Sequence, residues 1–105
     1  MIKVAVTGSA GRMGQRIISL VTEADDLIVN GAVEMPIHKA VGQDAGIIAG
    51  CGMLDVKITD SLERALHESD VLIDFTFPEV TLENAEICCE LGKRMVIGST
   101  GFTAE

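Results

Sequence analysis

The feature that most constrains this chain is a glycine-rich segment that directly follows a short apolar stretch. Residues 4–14 read VAVTGSAGRMG, so three glycines follow a run of small and β-branched residues. This order predicts a strand, a tight turn and a helix that opens at Arg12. Backbone N–H groups and the positive end of the helix dipole then point into the turn, which favours an anion there.

Each glycine of this segment has its own expected role. Gly8 permits the turn, Gly11 lets the backbone approach a pyrophosphate, and Gly14 lets the helix pack closely against the strand. The spacing G-x-x-G-x-x-G differs from the standard G-x-G-x-x-G, so a plain strand–helix turn is the alternative on the glycines alone. Glu34 ends the next apolar run about 20 residues later, where a carboxylate can hold ribose hydroxyls. A solvated strand end is the alternative for Glu34, but the combined pattern predicts dinucleotide binding.

The rest of the chain alternates between strand and helix patterns. Helix signals are Asp60 and Ser61 as candidate N-caps, Pro78 in a first turn and Gly92 as a stop. Strands are predicted over residues 2–7, 27–34, 56–59, 71–75 and 94–97, helices over 12–23, 62–68 and 78–91, and a long loop over 35–54. The buried face of the first helix is predicted to contain Met13, Ile17, Leu20 and Val21.

This rhythm predicts an α/β fold, a Rossmann-like parallel sheet of five strands with helices on both faces. Ligands of such sheets bind beyond the carboxyl ends of the strands, where the glycine segment, Glu34 and residues 76–77 and 98–102 all fall. The last predicted strand, residues 94–97, has no helix after it. It is expected to be an uncovered edge with Met95 and Ile97 partly exposed, which favours self-association.

Composition limits the function classes. The 105 residues predict one small domain, and 48% of them are hydrophobic, enough for a core. A net charge of −8 without basic runs argues against nucleic acid and anionic membranes as partners. No apolar run approaches the ~20 residues of a membrane span, and a strand starting at Ile2 leaves no room for a signal peptide, so a cytoplasmic protein is expected. The chain has three cysteines, Cys51, Cys88 and Cys89. Their spacing is not that of metal ligands, so no metal site is predicted.

Three segments together carry a family resemblance: GSAGRMG at residues 8–14, DFTFPEVT at 74–81 and MVIGSTGF at 95–102. They resemble the N-terminal half of dihydrodipicolinate reductases, and the resemblance covers the whole chain. It implies that the complete enzyme reduces a cyclic imine dicarboxylate with NADH or NADPH in the diaminopimelate route to lysine. It also implies that residues 1–105 form the NAD(P)-binding domain, incomplete and inactive alone, of an enzyme expected to be a homo-oligomer.

The resemblance assigns roles to particular residues. Glu34 would bind the adenosine ribose, and Thr100 would lie close to the substrate. The pyrophosphate would be held by Gly8, Ser9, Ala10, Gly11, Arg12 and Met13. The nicotinamide end would be held by Gly98, Ser99 and Thr100, with Phe75 and Thr76 lining its pocket. From the residues alone, Phe75 could equally belong to the core. Asp74, which interrupts an apolar strand, is predicted to bond nearby backbone.

Two departures from the family pattern bear on function. The arginine that often follows the acid after strand two is replaced by Met35, which weakens the case for NADP. Arg12, His38 or Lys39 could substitute as ligands of a 2′-phosphate, so both NAD and NADP remain candidate cofactors. The family's His-His-Arg and lysine-rich catalytic stretch is absent, so no catalytic residue is predicted in this chain. The alternatives are a stand-alone regulatory nucleotide-binding module and the cofactor domain of another nicotinamide oxidoreductase.

Overall fold

The computed structural model of the chain describes residues 1–74 and 78–97, and in the first turn of its last helix it describes the side chains from Val80 onward. Five strands form one sheet with the order β3-β2-β1-β4-β5, and every pairing is parallel. The strands are β1 (Ile2–Thr7), β2 (Leu27–Val33), β3 (Ile58–Thr59), β4 (Val71–Asp74) and β5 (Arg94–Ile97). The predicted Rossmann-like α/β class is confirmed.

Within the described part of the chain, four helices connect the strands and cover the two faces of the sheet. They are α1 (Arg12–Glu23), α2 (Ala45–Ala49), α3 (Leu62–Leu66) and α4 (Pro78–Leu91). Alternate residues of β1 point to opposite faces, as strand geometry requires. Val4 and Val6 join the core beneath α1, whereas Ala5 joins the core beneath α3 and α4. Helices on both faces, as predicted, therefore enclose two separate cores.

The first helix buries a different stripe from the predicted one. Ile18 is fully buried and Val21 nearly so, while Met13 and Leu20 are about half exposed. Ile17 packs only at the margin of the core. The prediction was wrong for Met13 and Leu20 because close packing at Gly14 sets the rotation of the helix and turns Ile18 inward. Apolar spacing alone did not fix that rotation.

The stretch predicted as a long loop contains the short helix α2. Asp44 is its N-cap, and the carboxylate of Asp44 accepts the backbone N–H groups of Gly46 and Ile47. Gly50 ends the helix in the left-handed conformation. A five-residue helix has too few turns to show a period, so the sequence pattern missed it.

The later elements follow the predicted order. Ser61 caps α3 by accepting the backbone N–H of Arg64, and Gly92, at φ +70°, ends α4. The strand β3 is only two residues long and α3 only five, shorter than predicted. The strand β5 lies at one edge of the described sheet, with Met95 partly exposed and Ile97 50% exposed, as expected. Within residues 1–74 and 78–97, no helix is long and apolar enough to cross a membrane.

Candidate cofactor-binding site

The turn between β1 and α1 has the backbone geometry that the glycines predict. Gly8 lies at φ +62°, in the left-handed region that favours glycine. The N–H of Gly11 donates to the carbonyl of Gly8 at 3.0 Å, closing the turn. Ser9 is fully buried, and both its backbone N–H and its hydroxyl donate to the carbonyl of Val33 at the end of β2. The turn is therefore tied to the second strand as well as to the first.

Gly14 sets the distance between the helix and the turn. A Cβ atom placed on Gly14 would lie 2.1 Å from the carbonyl oxygen of Gly8 and 2.7 Å from the Cα of Ser9. Backbone atoms cannot yield to a contact this short. The predicted role of Gly14 in close packing is confirmed, while the role of Gly11 toward a pyrophosphate stays a prediction.

The N-terminus of α1 opens toward the solvent without a side-chain cap. Its N-cap residue is Gly11, which has no side chain to accept from the helix. The first N–H groups of a helix have no acceptor within the helix, so those of residues 12–14 point outward from its N-terminal end. Arg12 is exposed and Met13 is about half exposed beside them. These features are favourable for an anion such as a phosphate.

Glu34 is attached to the glycine turn. One oxygen of its carboxylate accepts the backbone N–H of Ala10 at 3.0 Å, and the other accepts the N–H of Met35 at 3.1 Å. The side chain is half-buried. A carboxylate has about four acceptor positions, so these two bonds orient the group and leave it capacity to accept hydroxyl donors.

Gln15 is a member of the site that the sequence did not indicate. Its side-chain amide donates to the carbonyl of Ala10 at 2.7 Å, while the N–H of Ala10 donates to Glu34. The residue at the centre of the turn is thus held from both sides. A glutamine in the first turns of an amphipathic helix resembles any solvated position, so no sequence signal marks it.

A cleft of about 290 Å³ lies at the carboxyl edge of the sheet, next to the turn. Both Glu34 and the first turns of α4 line it. Most of the surface that lines the cleft is apolar. The lining residues are Thr7, Gly8, Val33, Glu34, Met35, Pro36, Asp60, Leu62, Val80, Glu83 and Asn84. The size and mostly apolar lining suit a small, largely apolar group beside a carboxylate.

Asp74 bonds side chains of other elements, which the sequence did not indicate, while its bond to nearby backbone stays a prediction. It is fully buried at the end of β4. Its carboxylate accepts the hydroxyl of Thr7 at 2.6 Å, the amide of Asn84 at 2.9 Å and the hydroxyl of Thr81. Burial, together with the negative charge of Asp74, raises the pKa of the Cys88 thiol. A buried carboxylate needs several donors, and the folded chain supplies them from β1 and α4.

The candidate ligands of a 2′-phosphate differ in their surroundings. His38 is partly buried, and its Nδ1 accepts the backbone N–H of Ala40 at 3.0 Å, which leaves Nε2 as the nitrogen able to donate. Lys39 and Met35 are exposed. The structure brings Glu34 to the glycine turn, but it does not place an arginine fork directly after that acid.

Five residues assigned to the nicotinamide end lie outside the described residues: Phe75, Thr76, Gly98, Ser99 and Thr100. The two described residues that precede these segments are neighbours in the sheet. Asp74, the last residue of β4, pairs with Ile97, the last residue of β5. The chain therefore leaves both strands side by side at the carboxyl edge.

Comparison with known proteins agrees with this architecture. Residues 2–105 match the family model described as dihydrodipicolinate reductase, N-terminus. The 4-hydroxy-tetrahydrodipicolinate reductase of Geotalea daltonii is 59% identical over 105 residues, which are 100% of this chain and 39% of that protein. The corresponding protein of Pelobacter propionicus is 56% identical with the same coverage. This chain belongs to the dihydrodipicolinate reductase family and spans 39% of the length of these relatives.

Solved structures show the same fold. A dipicolinate-bound dihydrodipicolinate reductase from Paenisporosarcina sp. TG-14 superposes with a TM-score of 0.74 at 26% identity, covering 99% of this chain and 39% of that one. An amine dehydrogenase from Mycobacterium smegmatis superposes with a TM-score of 0.79 at 24% identity, covering 93% of this chain and 30% of that one. The second likeness concerns the fold alone.

Proposed function

We propose that this member of the family is the NAD(P)H-binding portion of a 4-hydroxy-tetrahydrodipicolinate reductase, an enzyme of lysine and diaminopimelate biosynthesis. The observation that carries the proposal is the attachment of Glu34 to the glycine turn through the N–H of Ala10. This bond brings a carboxylate and an uncapped helix N-terminus together, and a dinucleotide has a ribose and a pyrophosphate that these two groups can bind.

The pyrophosphate is assigned to the glycine turn. The backbone from Gly8 to Met13 would surround it, and the N–H groups of residues 12–14 would donate to its oxygens. The bonds of Ser9 to Val33 and of Gln15 to Ala10 fix the turn before any ligand arrives. A rigid turn loses little conformational freedom on binding, which favours affinity.

The adenosine is assigned to the cleft beside Glu34. The carboxylate would accept the two ribose hydroxyls with the capacity that its bonds to Ala10 and Met35 leave. The adenine ring would lie among apolar side chains of the cleft, such as Val33, Leu62 and Val80. A flat base gains affinity there by removing apolar surface from water.

The nicotinamide end is assigned to the segments that follow β4 and β5. Phe75 and Thr76 would line its pocket, and residues 98–100 would hold it, as the family resemblance implies. When bound, the reduced cofactor would supply a hydride to the carbon of the cyclic imine. The substrate domain and the proton donor are assigned to the part of the family's length that this sequence does not cover. A cytoplasmic homo-oligomer is proposed for the whole enzyme.

The test is a calorimetric titration of NADH and NADPH into the wild-type chain and the Glu34→Ala variant. Hydrogen bonds to a charged group contribute about 1.5–3 kcal/mol, so the variant is expected to bind NADH at least about tenfold more weakly. NADPH should lose less, because the substitution also removes repulsion of the 2′-phosphate. Glu86→Ala, which removes an exposed carboxylate from α4, is the matched control and should leave both affinities unchanged. Equal losses for the two cofactors in Glu34→Ala would remove Glu34 from the ribose site.

A further inference from the structure

A buried polar cluster links the glycine turn to the opposite wall of the cleft. At its centre, Asp74 accepts from Thr7, the residue immediately before Gly8, and from Thr81 and Asn84 in the first turns of α4. All four side chains are at least nine-tenths buried. The carboxylate of Asp74, at the end of β4, thus holds together the end of β1 and the first turns of α4.

The same helix turns form one wall of the cleft. Val80, Glu83 and Asn84 line it from α4, while Glu34 and Met35 line it from the end of β2. Thr81 is 1% exposed, and its hydroxyl is directed at Asp74. Asn84 belongs both to the wall and to the cluster, so the position of the wall depends on the bonds beneath it.

We propose that Asp74 and Thr81 are positioning residues for the adenosine half of the dinucleotide. Through Thr7 and Asn84 they hold α4 at a fixed distance from the glycine turn, and so set the width of the cleft. The inference rests on the proposed function, since it concerns the same cofactor. It adds two residues that act through other residues, without contact to the ligand.

The energetic reason is the requirement of a buried carboxylate for donors. A fully buried charge is tolerated only while hydrogen bonds replace its lost hydration. If Thr81 no longer donates, the carboxylate gains by moving toward other donors or toward water. Either movement shifts Asn84 and the wall that it belongs to. The glycine turn keeps its own bonds to Val33 and Glu34, so it is expected to hold its shape.

The experiment compares Thr81→Val, Thr81→Ser and Ser69→Ala with the wild-type chain. Ser69 is also fully buried, and its hydroxyl donates to the carbonyl of Ala65 at 2.8 Å and accepts from the side-chain amide of Asn30 at 2.8 Å, so Ser69→Ala removes buried hydroxyl bonds at the amino end of β4, away from the cleft. Each variant is titrated by NMR with ADP-ribose, which fills both subsites, and with inorganic pyrophosphate, which occupies the turn alone. Thermal unfolding is recorded for each variant.

Thr81→Val is expected to weaken ADP-ribose about tenfold, because free energy of the order of the lost bond to a charged acceptor is then needed to hold the cleft at its binding width, and to leave pyrophosphate affinity unchanged. Thr81→Ser should restore ADP-ribose affinity, and Ser69→Ala should lower stability alone. The proposal is overturned if Thr81→Val binds ADP-ribose like the wild type, if it weakens both ligands equally, or if Ser69→Ala weakens ADP-ribose to the same extent.

A second variant covers the case in which Thr81→Val does not fold. Asp74→Asn keeps the shape of the side chain but removes its charge and replaces one acceptor oxygen by an NH2 donor, so the bonds to Thr7, Thr81 and Asn84 can no longer all be made to a carboxylate. It is expected to weaken ADP-ribose selectively as well, and unchanged affinity would overturn the proposal. A wild-type chain that binds neither ligand would instead contradict the proposed function itself, and the positioning role with it.

Discussion

Two regions of this molecule are built from the same materials and use them differently. The glycine turn, residues 8–14, combines glycines, a helix N-terminus and the carboxylate of Glu34. The Asp44 segment, residues 44–57, combines glycines, the N-terminus of α2 and the carboxylate of Asp44. The first keeps hydrogen-bonding capacity that we propose a dinucleotide uses, whereas in the second the carboxylate already accepts four backbone N–H groups.

The difference lies in how many backbone donors each carboxylate accepts. Glu34 accepts two N–H groups, one at each oxygen. Asp44 accepts four, from Gly46 at 2.9 Å, Ile47 at 3.1 Å, Leu54 at 2.9 Å and Val56 at 2.8 Å. The N-terminus of α2 is therefore capped from within, while that of α1 is uncapped by any side chain. Unused hydrogen-bonding capacity distinguishes a binding region from a structural one.

The largest expected effect comes from substituting alanine for the tightly packed glycine of each region. The two substitutions test whether only the glycine turn is needed for cofactor binding. A Cβ on Gly14 would lie 2.1 Å from the carbonyl oxygen of Gly8, and one on Gly46 would lie 2.0 Å from that of Gly52. Gly14→Ala and Gly46→Ala should each lower the free energy of unfolding by about 3 kcal/mol, the upper range for overpacking. Only Gly14→Ala should also weaken NADH binding. Urea unfolding and calorimetric titration measure the two effects, and an NADH loss in Gly46→Ala would contradict the separation.

The carboxylates themselves provide the next test. Asp44→Ala removes a helix cap and two further backbone bonds, so it should lower the free energy of unfolding by about 2–3 kcal/mol. NADH affinity should stay unchanged in the folded fraction. Glu34→Ala should have the opposite effect: NADH affinity should fall, while the free energy of unfolding should change little. The contrast between the regions fails if the two variants lose stability and affinity in the same proportion.

Acid titration sharpens the comparison further. Burial acts to raise the pKa of Asp44, but its four backbone N–H donors outweigh this and lower the pKa below its ordinary value of 3.8. A lowered folded-state pKa means that the ionised group stabilises the fold above pH 3.8, and that this contribution is lost as the pH falls through the folded-state pKa. The stability difference between wild type and Asp44→Ala should therefore be constant near neutral pH and shrink below pH 3.8. Urea unfolding across this range measures it, and a difference that grows on acidification would contradict the role of the charge.

Cofactor preference is the smallest expected effect. NADH should bind at least as well as NADPH, because Met35 after Glu34 offers no donor to a 2′-phosphate. Titrations at low and moderate salt measure the ratio. A clear NADPH preference that weakens with salt would assign the phosphate to Arg12, His38 or Lys39 instead.

The glycine turn could be predicted in detail because its constraints are local. The left-handed φ of Gly8 and the close approach at Gly14 follow from residue type and spacing, and Glu34 lies at the distance expected for the fold. The Asp44 segment could not, because its donors Leu54 and Val56 are ten and twelve residues away in the chain. A short helix and an aspartate among glycines resemble an ordinary loop until the chain folds back.

The sequence by itself determined the alternation of elements, the parallel sheet, the glycine turn and the family. These depend on periodicity and on backbone preferences that act over a few residues. Only the tertiary structure decided that Ile18 rather than Leu20 is buried, that Gln15 supports the turn, and that Asp74 joins Thr7 to α4. The bond between Asp74 and Thr7 spans 67 positions. Hydrogen bonds of buried polar groups are settled by which elements meet in space, and that information is absent from any local stretch of the chain.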